Sequence, residues 1–384
     1  MIHSPRLGLT LTLGSAQTLA WASSYYLPAI LAVPMARELG LSPSWVFAAF
    51  SAALLLTAML GPSVGRLIDQ QGGRGVLMAS NAVMALGLVI MALSQGVFGL
   101  MLAWLITGVG MAMGLYDAAF ATLGRLLGRS ARSSITGVTL LAGFASTLGW
   151  PLTALLENEV GWRETCGIWA MLHIIIGLPL NACLPKAADS VDSQDDDKSA
   201  PPPARPRLAM ILLAYVFAAG WFVSTAMAAH LPRLLQETGV SLSVAVAAAA
   251  LVGPAQVAAR LGEFALLRHL HPLVAARVAT TLHPLGAALL ATLGMPAAGF
   301  ALLHGAGNGM MTIASGTLPL ALFGPKGFGQ RQGLIIAPAR AAQAIAPLLF
   351  GLLIEQNGAG ALWLTTGLML AACLALLFIR VPRA

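Results

Sequence analysis

The chain has 384 residues, 58% of them hydrophobic and only 9% charged, with a mean hydropathy of +0.82. A soluble fold of this length exposes far more charge, because its surface must be solvated, so the soluble classes are excluded and an integral, polytopic, all-α membrane protein is expected. The formal net charge of +7 does not mark a nucleic-acid partner. No basic cluster is interleaved with aromatic residues, and the basic side chains read instead as markers of loop topology.

Arg6 and a few polar residues precede an apolar stretch, as in a secretory leader. The stretch continues to Ala36 and many further apolar runs follow, so a retained first span is expected. A helix crosses a bilayer with about 20 residues. Hydrophobicity and breaker residues place spans at 7–36, 44–67, 75–95, 97–123, 133–156 and 164–184. A second set follows at 207–232, 243–266, 272–294, 296–322, 332–354 and 359–380. Between the sets lies the least apolar stretch of the chain, 185–206, with Asp189, Asp192, Asp195, Asp196 and Asp197, then Lys198 and Pro201-Pro202-Pro203. Its composition is that of a solvated linker joining two six-helix bundles, 1–184 and 207–384.

Charge bias supports this layout independently. With twelve spans, seventeen of the 21 Lys and Arg fall on the side shared by the termini and the linker. Arg37, Arg163 and Arg233 fall on the other side, and Arg340 lies within a span. The basic side is therefore read as cytoplasmic, with both termini there and the protein in the inner (cytoplasmic) membrane.

The two sets repeat one another. Gly61-Pro62 followed by Arg66-Leu67-Ile68-Asp69 recurs as Gly253-Pro254 followed by Arg260-Leu261-Gly262-Glu263. Tyr26-Leu27-Pro28 recurs as His230-Leu231-Pro232, and Gly40-Leu41-Ser42 as Gly239-Val240-Ser241. Both copies begin on the same side, so the pseudo-repeats are parallel.

Twelve spans in two halves with an acidic linker resemble the major facilitator superfamily. The loop Gly65-Arg66-Leu67-Ile68-Asp69-Gln70-Gln71-Gly72-Gly73-Arg74 fits that family's most specific motif, and Gly161-Trp162-Arg163 is another common feature. The loop also has a physical reading: glycines permit a tight turn, Asp69 can sit against the positive N-terminal end of a helix in the other half, and Arg74 can hold an acid or carbonyl. Gly65, Asp69, Gly72 and Arg74 are thus expected to form a gating latch, the alternative being a plain turn carrying inside-positive charge. Two departures lower the case for a multidrug antiporter. Trp104 stands where the family's second motif has arginine, although Gly108, Gly110 and Gly114 are kept. The fifth span reads Gly143-Phe144-Ala145-Ser146-Thr147-Leu148-Gly149-Trp150-Pro151, without the intact Gly-Pro pattern of proton-driven drug exporters. From Tyr116 to Gly161-Trp162-Arg163 the chain is loosely similar to bacterial organic-acid carriers.

Charge inside a bilayer costs about 2.5–3.5 kcal/mol by insertion scales, so each intramembrane ionisable residue is informative. Arg340 lies well inside the eleventh span. It reads either as a guanidinium gripping a carboxylate in bidentate fashion or as a structural partner of helix carbonyls or a distant acid. Asp117, in the fourth span, is the candidate for proton coupling, or else an ion-pair gate with Arg125, Arg129 or Arg340. Uncharged polar candidates for substrate contact are Tyr25, Tyr116, Trp221, Gln256, Asn308 and Gln343. The resemblance implies that spans one, four, seven and ten line a cavity, which favours Tyr25, Tyr116, Trp221 and Asn308 among these. Arg260, one turn after Gln256, extends a polar track, while His304 reads equally as packed or as a proton relay.

No metal or cofactor is expected. Cys166, Cys183 and Cys373 have unrelated spacings, His269 and His271 lack a third ligand, and the methionines read as packing. No clustered catalytic constellation supports a membrane enzyme. The resulting expectation is a monomeric secondary active transporter working by alternating access, moving a small organic anion in symport with protons. The alternative is a proton-driven exporter of drug-like or metabolic compounds.

Overall fold

The computed structural model describes residues 4–186, 205–267, 270–293 and 296–379. Of the expected linker, 187–204 lie outside the described residues, as do Arg268, His269 and the C-terminal Arg380 and Arg383. Among the described residues there are helices and turns and no strands.

The helices follow the expected spans in order. α1 (Ser4–Ala22) and α2 (Pro28–Glu38) form the first, α3 (Pro43–Gln71) the second and α4 (Gly73–Leu93) the third. α5 (Val97–Gly114) with α6 (Tyr116–Leu127) forms the fourth, and α7 (Ala131–Ala142) with α8 (Ala145–Val160) the fifth. α9 (Trp162–Leu172), a π-turn at His173–Gly177 and α10 (Leu178–Ala182) form the sixth. α11 (Pro206–Gln236) is the seventh, α12 (Leu242–Ala250) with α13 (Val252–Gly262) the eighth and α14 (Pro272–Leu293) the ninth. α15 (Ala297–Phe323), α16 (Phe328–Asn357) and α17 (Ala361–Phe378) complete the set. Among the described residues eight helical stretches are long and apolar enough to cross a membrane, and two of these, Val97–Val160 and Phe328–Phe378, each run across two expected spans.

Local chemistry sets the boundaries. Pro43 opens α3 directly after the extended Ser42, because a first-turn proline lacks only an N–H that would have no partner there. Gly72, at φ +83°, closes α3 and opens α4, a left-handed position that a side chain would strain. Gly161, at φ +90°, does the same between α8 and α9.

The chain divides into two compact units, Met1–Asp197 with Pro325–Ala337, and Lys198–Gly324 with Pro338–Ala384. In the first, α3 and α4 pack against α5, α4 against α9, and α1 against α7 and α8. Gly108 and Gly110 of α5 make this packing close: a Cβ at Gly108 would meet the Ala53 backbone at 2.7 Å, and one at Gly110 the Met84 side chain at 2.6 Å. In the second unit the same pairing recurs, with α13 and α14 against α15 and Gly305 and Gly309 against the Val252 and Gln256 backbones. The repeat seen in sequence is thus a repeat of helix packing.

Polarity is arranged for a lipid solvent. Phe98 and Met59 are 88% and 76% exposed, while Gln17, Asn81, His173, His283 and Gln343 are buried. Buried hydroxyls bond to helix carbonyls, as Thr57 Oγ1 does to Gly108 O at 3.0 Å.

Candidate functional site

The latch residues converge within the first unit. Asp69, in the last turn of α3, accepts hydrogen bonds from Gly329 N at Oδ1 and Gln330 N at Oδ2, both at 2.8 Å. These are first-turn amides of α16, so a carboxylate caps the positive end of a 30-residue helix. Gly65 is not in a turn, as the loop motif suggested. It lies inside α3 with its missing Cβ replaced by the Gly329 carbonyl, so the backbones touch directly. Gly72 is the turn glycine. The cation also differs from expectation. Arg74 makes no hydrogen bond or ion pair among the described residues, and Arg125 of α6 donates to the Asp69 carbonyl instead. Helical geometry explains this: Arg74 starts α4 beyond the turn, whereas α6 packs alongside α3.

A second cluster of the first unit forms where two spans break. α1 gives way to a turn at Ser23–Leu27, and Leu115 adopts an extended backbone (ψ −171°) between α5 and α6. Gln17 Nε2 donates to the Gly114 carbonyl at 2.6 Å, at the second break. Trp21 joins the expected Tyr25 and Tyr116, with ring centroids 5.2 and 4.8 Å away. Tyr25 continues to Phe50 at 5.5 Å, Phe50 to Trp104 at 5.2 Å, and Tyr26 to Trp150 at 5.6 Å. Trp104 is therefore a fully buried member of an aromatic cluster. Asp117 is not mid-helix, as its placement within an unbroken span implied, but in the first turn of α6 and half-buried. No proline announces the break at Leu115, so sequence reasoning had only the glycine run ending at Gly114 to suggest it.

In the second unit Arg340 is 3% exposed, and its Nη1 donates to Gln343 Oε1 at 2.9 Å. The guanidinium lies 5.9 Å from the Trp221 ring centroid, within cation–π reach. Gln343 Nε2 in turn donates to Thr225 Oγ1 at 3.5 Å. Arg340, Gln343 and Trp221 are thus brought together. Gln256 and Asn308 are not part of this group. Gln256 sits on α13 where its backbone meets Gly309, and Asn308 lines a small separate cavity. Arg260, read above as extending a polar track one turn after Gln256, is a second buried guanidinium. It is 5% exposed and reaches Gly309 O and Thr312 Oγ1 of α15, both at 3.4 Å.

Three polar residues, His173, His283 and Glu38, were missed. His173 bridges Ser23 Oγ at 2.7 Å and Asn81 Oδ1 at 2.9 Å, joining the sixth span to the break in the first. His283 and His304 form a buried pair in the second unit. The Gly161-Trp162-Arg163 motif acts through Glu38, which accepts from Arg163 Nε at 2.7 Å and from Trp162 Nε1, while Arg163 also reaches the Ala92 carbonyl. The Arg163 hydrogen bond, and then that of Trp162, hold the Glu38 carboxyl below the usual carboxylate range. His173 lies 150 and 92 residues from its partners and Glu38 124 and 125 from its own, so spacing could not reveal them, while His283 and His304 are 21 apart on neighbouring helices.

Solved transporters share this fold. The human organic anion transporter MFSD10 (TETRAN) is 17% identical, with a TM-score of 0.70 over 98% of this chain and 100% of that one. The proton:xylose symporter XylE is 13% identical, with a TM-score of 0.75 over 97% and 95%. FucP, in the outward conformation, is 13% identical with a TM-score of 0.75 over 98% of each chain. At these identities the likeness establishes the fold. Residues 13–303 match the sequence profile of the superfamily itself. This match and the twelve-segment all-α architecture place the chain in the Major Facilitator Superfamily, as a multi-pass membrane transporter of small molecules.

Proposed function

We propose that the protein is a secondary active transporter that carries a small organic anion in symport with protons by alternating access. In this reading it acts as a monomer in the inner (cytoplasmic) membrane with both termini on the cytoplasmic side. The observation that carries it is Arg340: a guanidinium 3% exposed, well inside a membrane helix, oriented by Gln343 and faced by the Trp221 ring. A fixed planar cation in a low-dielectric setting recognises a carboxylate by paired N–H donors. The fold itself performs both parts of the task in other proteins, since one similar structure is named an organic anion transporter and another a proton symporter.

Asp117 is the proposed proton carrier, placed beside Tyr116 where α6 begins after the break in the fourth span. Asp69, Gly65 and Gly72 form the proposed gate with Arg125. The gate holds the first turn of α16, whose later turns carry Arg340, so a single helix joins latch and recognition residue.

The test is uptake of labelled organic acids by proteoliposomes under an imposed inward proton gradient. Accumulation of a carboxylate that collapses with the gradient supports the reading, and uptake indifferent to the gradient removes the coupling. A second reading, a proton-driven exporter of drug-like or metabolic compounds, draws on the aromatic cluster around Trp21, Tyr25 and Tyr116. Thermal-shift screening of carboxylates against cationic planar drugs separates the two.

A further inference from the structure

The second unit holds a pair of buried imidazoles that the proposed transport residues do not use. His283 on α14 and His304 on α15 approach with their Nδ1 atoms 3.0 Å apart, and His283 Nε2 lies 3.0 Å from Thr365 Oγ1 on α17. All three residues are buried. Two Nδ1 atoms at hydrogen-bonding distance require one to carry the hydrogen and the other to accept it.

The Thr365 hydroxyl sets the direction of the chain of bonds. It donates to the Leu362 carbonyl at 2.9 Å, and so accepts from His283 Nε2–H. With its hydrogen on Nε2, neutral His283 offers a bare Nδ1, which accepts from His304 Nδ1–H. His304 Nε2 is then the unprotonated atom, and it has no hydrogen-bond partner among the described residues. His304 and His283 line a cavity of about 20 Å³ together with Asn308, Gly220 and Met311. That space is above the roughly 10–15 Å³ one water needs. Asn308 gives it a polar wall.

We propose that the His283–His304 pair is a proton-binding site that takes up one proton at His304 Nε2 and shares the resulting charge across the Nδ1–Nδ1 hydrogen bond. Protonation forms one N–H bond at Nε2. The Nδ1 hydrogen then moves between the rings while His283 Nε2–H stays on Thr365, so both Nδ1 atoms and His283 Nε2 remain hydrogen-bonded in either position, and His304 Nε2–H faces the cavity. A second proton would place two cations in contact, which limits the site to one.

The surroundings do not supply a competing counter-charge. Among the described residues no Asp or Glu bonds either ring. On α14 itself Arg277 is engaged by the Leu376 and Ile379 carbonyls, and on α13 Arg260 by Gly309 and Thr312 of α15. Tyr215 of α11 is directed to the Leu368 carbonyl, Cys373 is the titratable group of α17, α12 carries none, and Glu263 lies just past α13. Phe300 packs on both rings, at 5.3 and 6.1 Å.

This inference rests on the proton-coupled reading only for its purpose, and binding is tested with protons alone, without a transported solute. The full chain in detergent, labelled with ¹⁵N-histidine, is titrated from about pH 8 to about pH 3.5, low enough to reach imidazoles whose buried setting opposes their charge. Indicator-dye proton uptake is read in parallel. The expected result is that the His283 and His304 nitrogens move together in one step worth one proton. His304→Gln removes that proton from the uptake curve. His283→Asn, which leaves an acceptor for His304 Nδ1–H but a weaker one, moves the step to lower pH. The proposal is overturned if neither ring changes protonation while the fold persists, or if the two rings bind two protons independently. Failure of carboxylate uptake with the one-proton step intact would sink the substrate reading and leave this site standing.

Discussion

Replacing Asp69 by Asn tests the latch with almost no change of shape. The carboxylate accepts two backbone hydrogen bonds at 2.8 Å from the first turn of α16. Asn keeps one acceptor oxygen and turns the other position into an N–H donor that faces an N–H. A hydrogen bond to a charged group is worth about 1.5–3 kcal/mol, and a charge at a helix N-terminus adds about 0.3–1 kcal/mol. The substitution should therefore cost the held arrangement about 2–3 kcal/mol, which at about 1.36 kcal/mol per decade is roughly a 30- to 150-fold rise in its open fraction. Amide hydrogen exchange reports this directly, because Gly329 and Gln330 N–H exchange through the open form. Their exchange in Asp69→Asn should accelerate by that factor, with little change at α4 amides such as Leu77. Solute turnover should change far more than affinity, since the pair lies at a helix end and not among the proposed substrate contacts. Unchanged exchange at Gly329 and Gln330 would refute the capping argument, and an affinity loss at constant cycling rate would refute the gating one.

Three further outcomes are expected. Gly65→Ala should impair turnover and lower the melting temperature, because its Cβ would overlap the Gly329 carbonyl, whereas Gly61→Ala should be near neutral, its Cβ meeting only Gly333 Cα at 3.8 Å; equal effects in paired thermal melts would discount the close backbone contact. Arg340→Lys loses the planar fork and the Trp221 face, and should weaken carboxylate binding roughly 10- to 150-fold for about 1.5–3 kcal/mol, read by titration of bound ligand. Glu38 has its folded pKa held below 4.5, so its contribution is present above that value and is lost as pH falls through the lower folded one. Glu38→Gln should therefore lower the melting temperature at neutral pH and flatten its acid limb, and an acid limb identical to the wild type would place the proton uptake elsewhere.

The helical frame was legible because membrane burial writes itself into composition: each span had to be apolar over a fixed length, and each loop glycine or proline marked an end. Asp69 was legible for the same local reason, as one acid in a short glycine-flanked loop with a helix end to cap. What escaped was most of the other contacts made across helices. Arg125 replaces Arg74 at the Asp69 carbonyl because α6 packs beside α3, a tertiary fact absent from the motif. Arg260 was expected to extend a polar track from Gln256 on its own helix, yet its guanidinium turns toward α15. His173 and His283 stood in apolar runs as isolated polar residues, and only helix packing supplied Asn81, Ser23, His304 and Thr365 as partners.

The repeat also predicts its own exceptions. If the halves were equivalent, spans one and four would match seven and ten in backbone as well as in position. They do not. The first and fourth spans break at Ser23–Leu27 and at Leu115, whereas α11 and α15 run without interruption over Pro206–Gln236 and Ala297–Phe323. A broken span offers backbone groups and a helix end inside the membrane, which is tolerated only where protein or a lined cavity satisfies them. In the first unit Gln17 and the aromatic cluster take that part, and Asp117 sits at the new helix start. An unbroken span has no backbone polarity to offer, so any recognition in the second unit must come from side chains. Most of the buried ionisable side chains among the described residues are found there, Arg260, Glu263, Arg340 and the His283–His304 pair, against His173 in the first unit. The division of chemistry between the units thus follows from which helices are continuous. It predicts that restoring a helical backbone at Leu115 would damage the first unit's site while leaving proton uptake by the histidine pair intact.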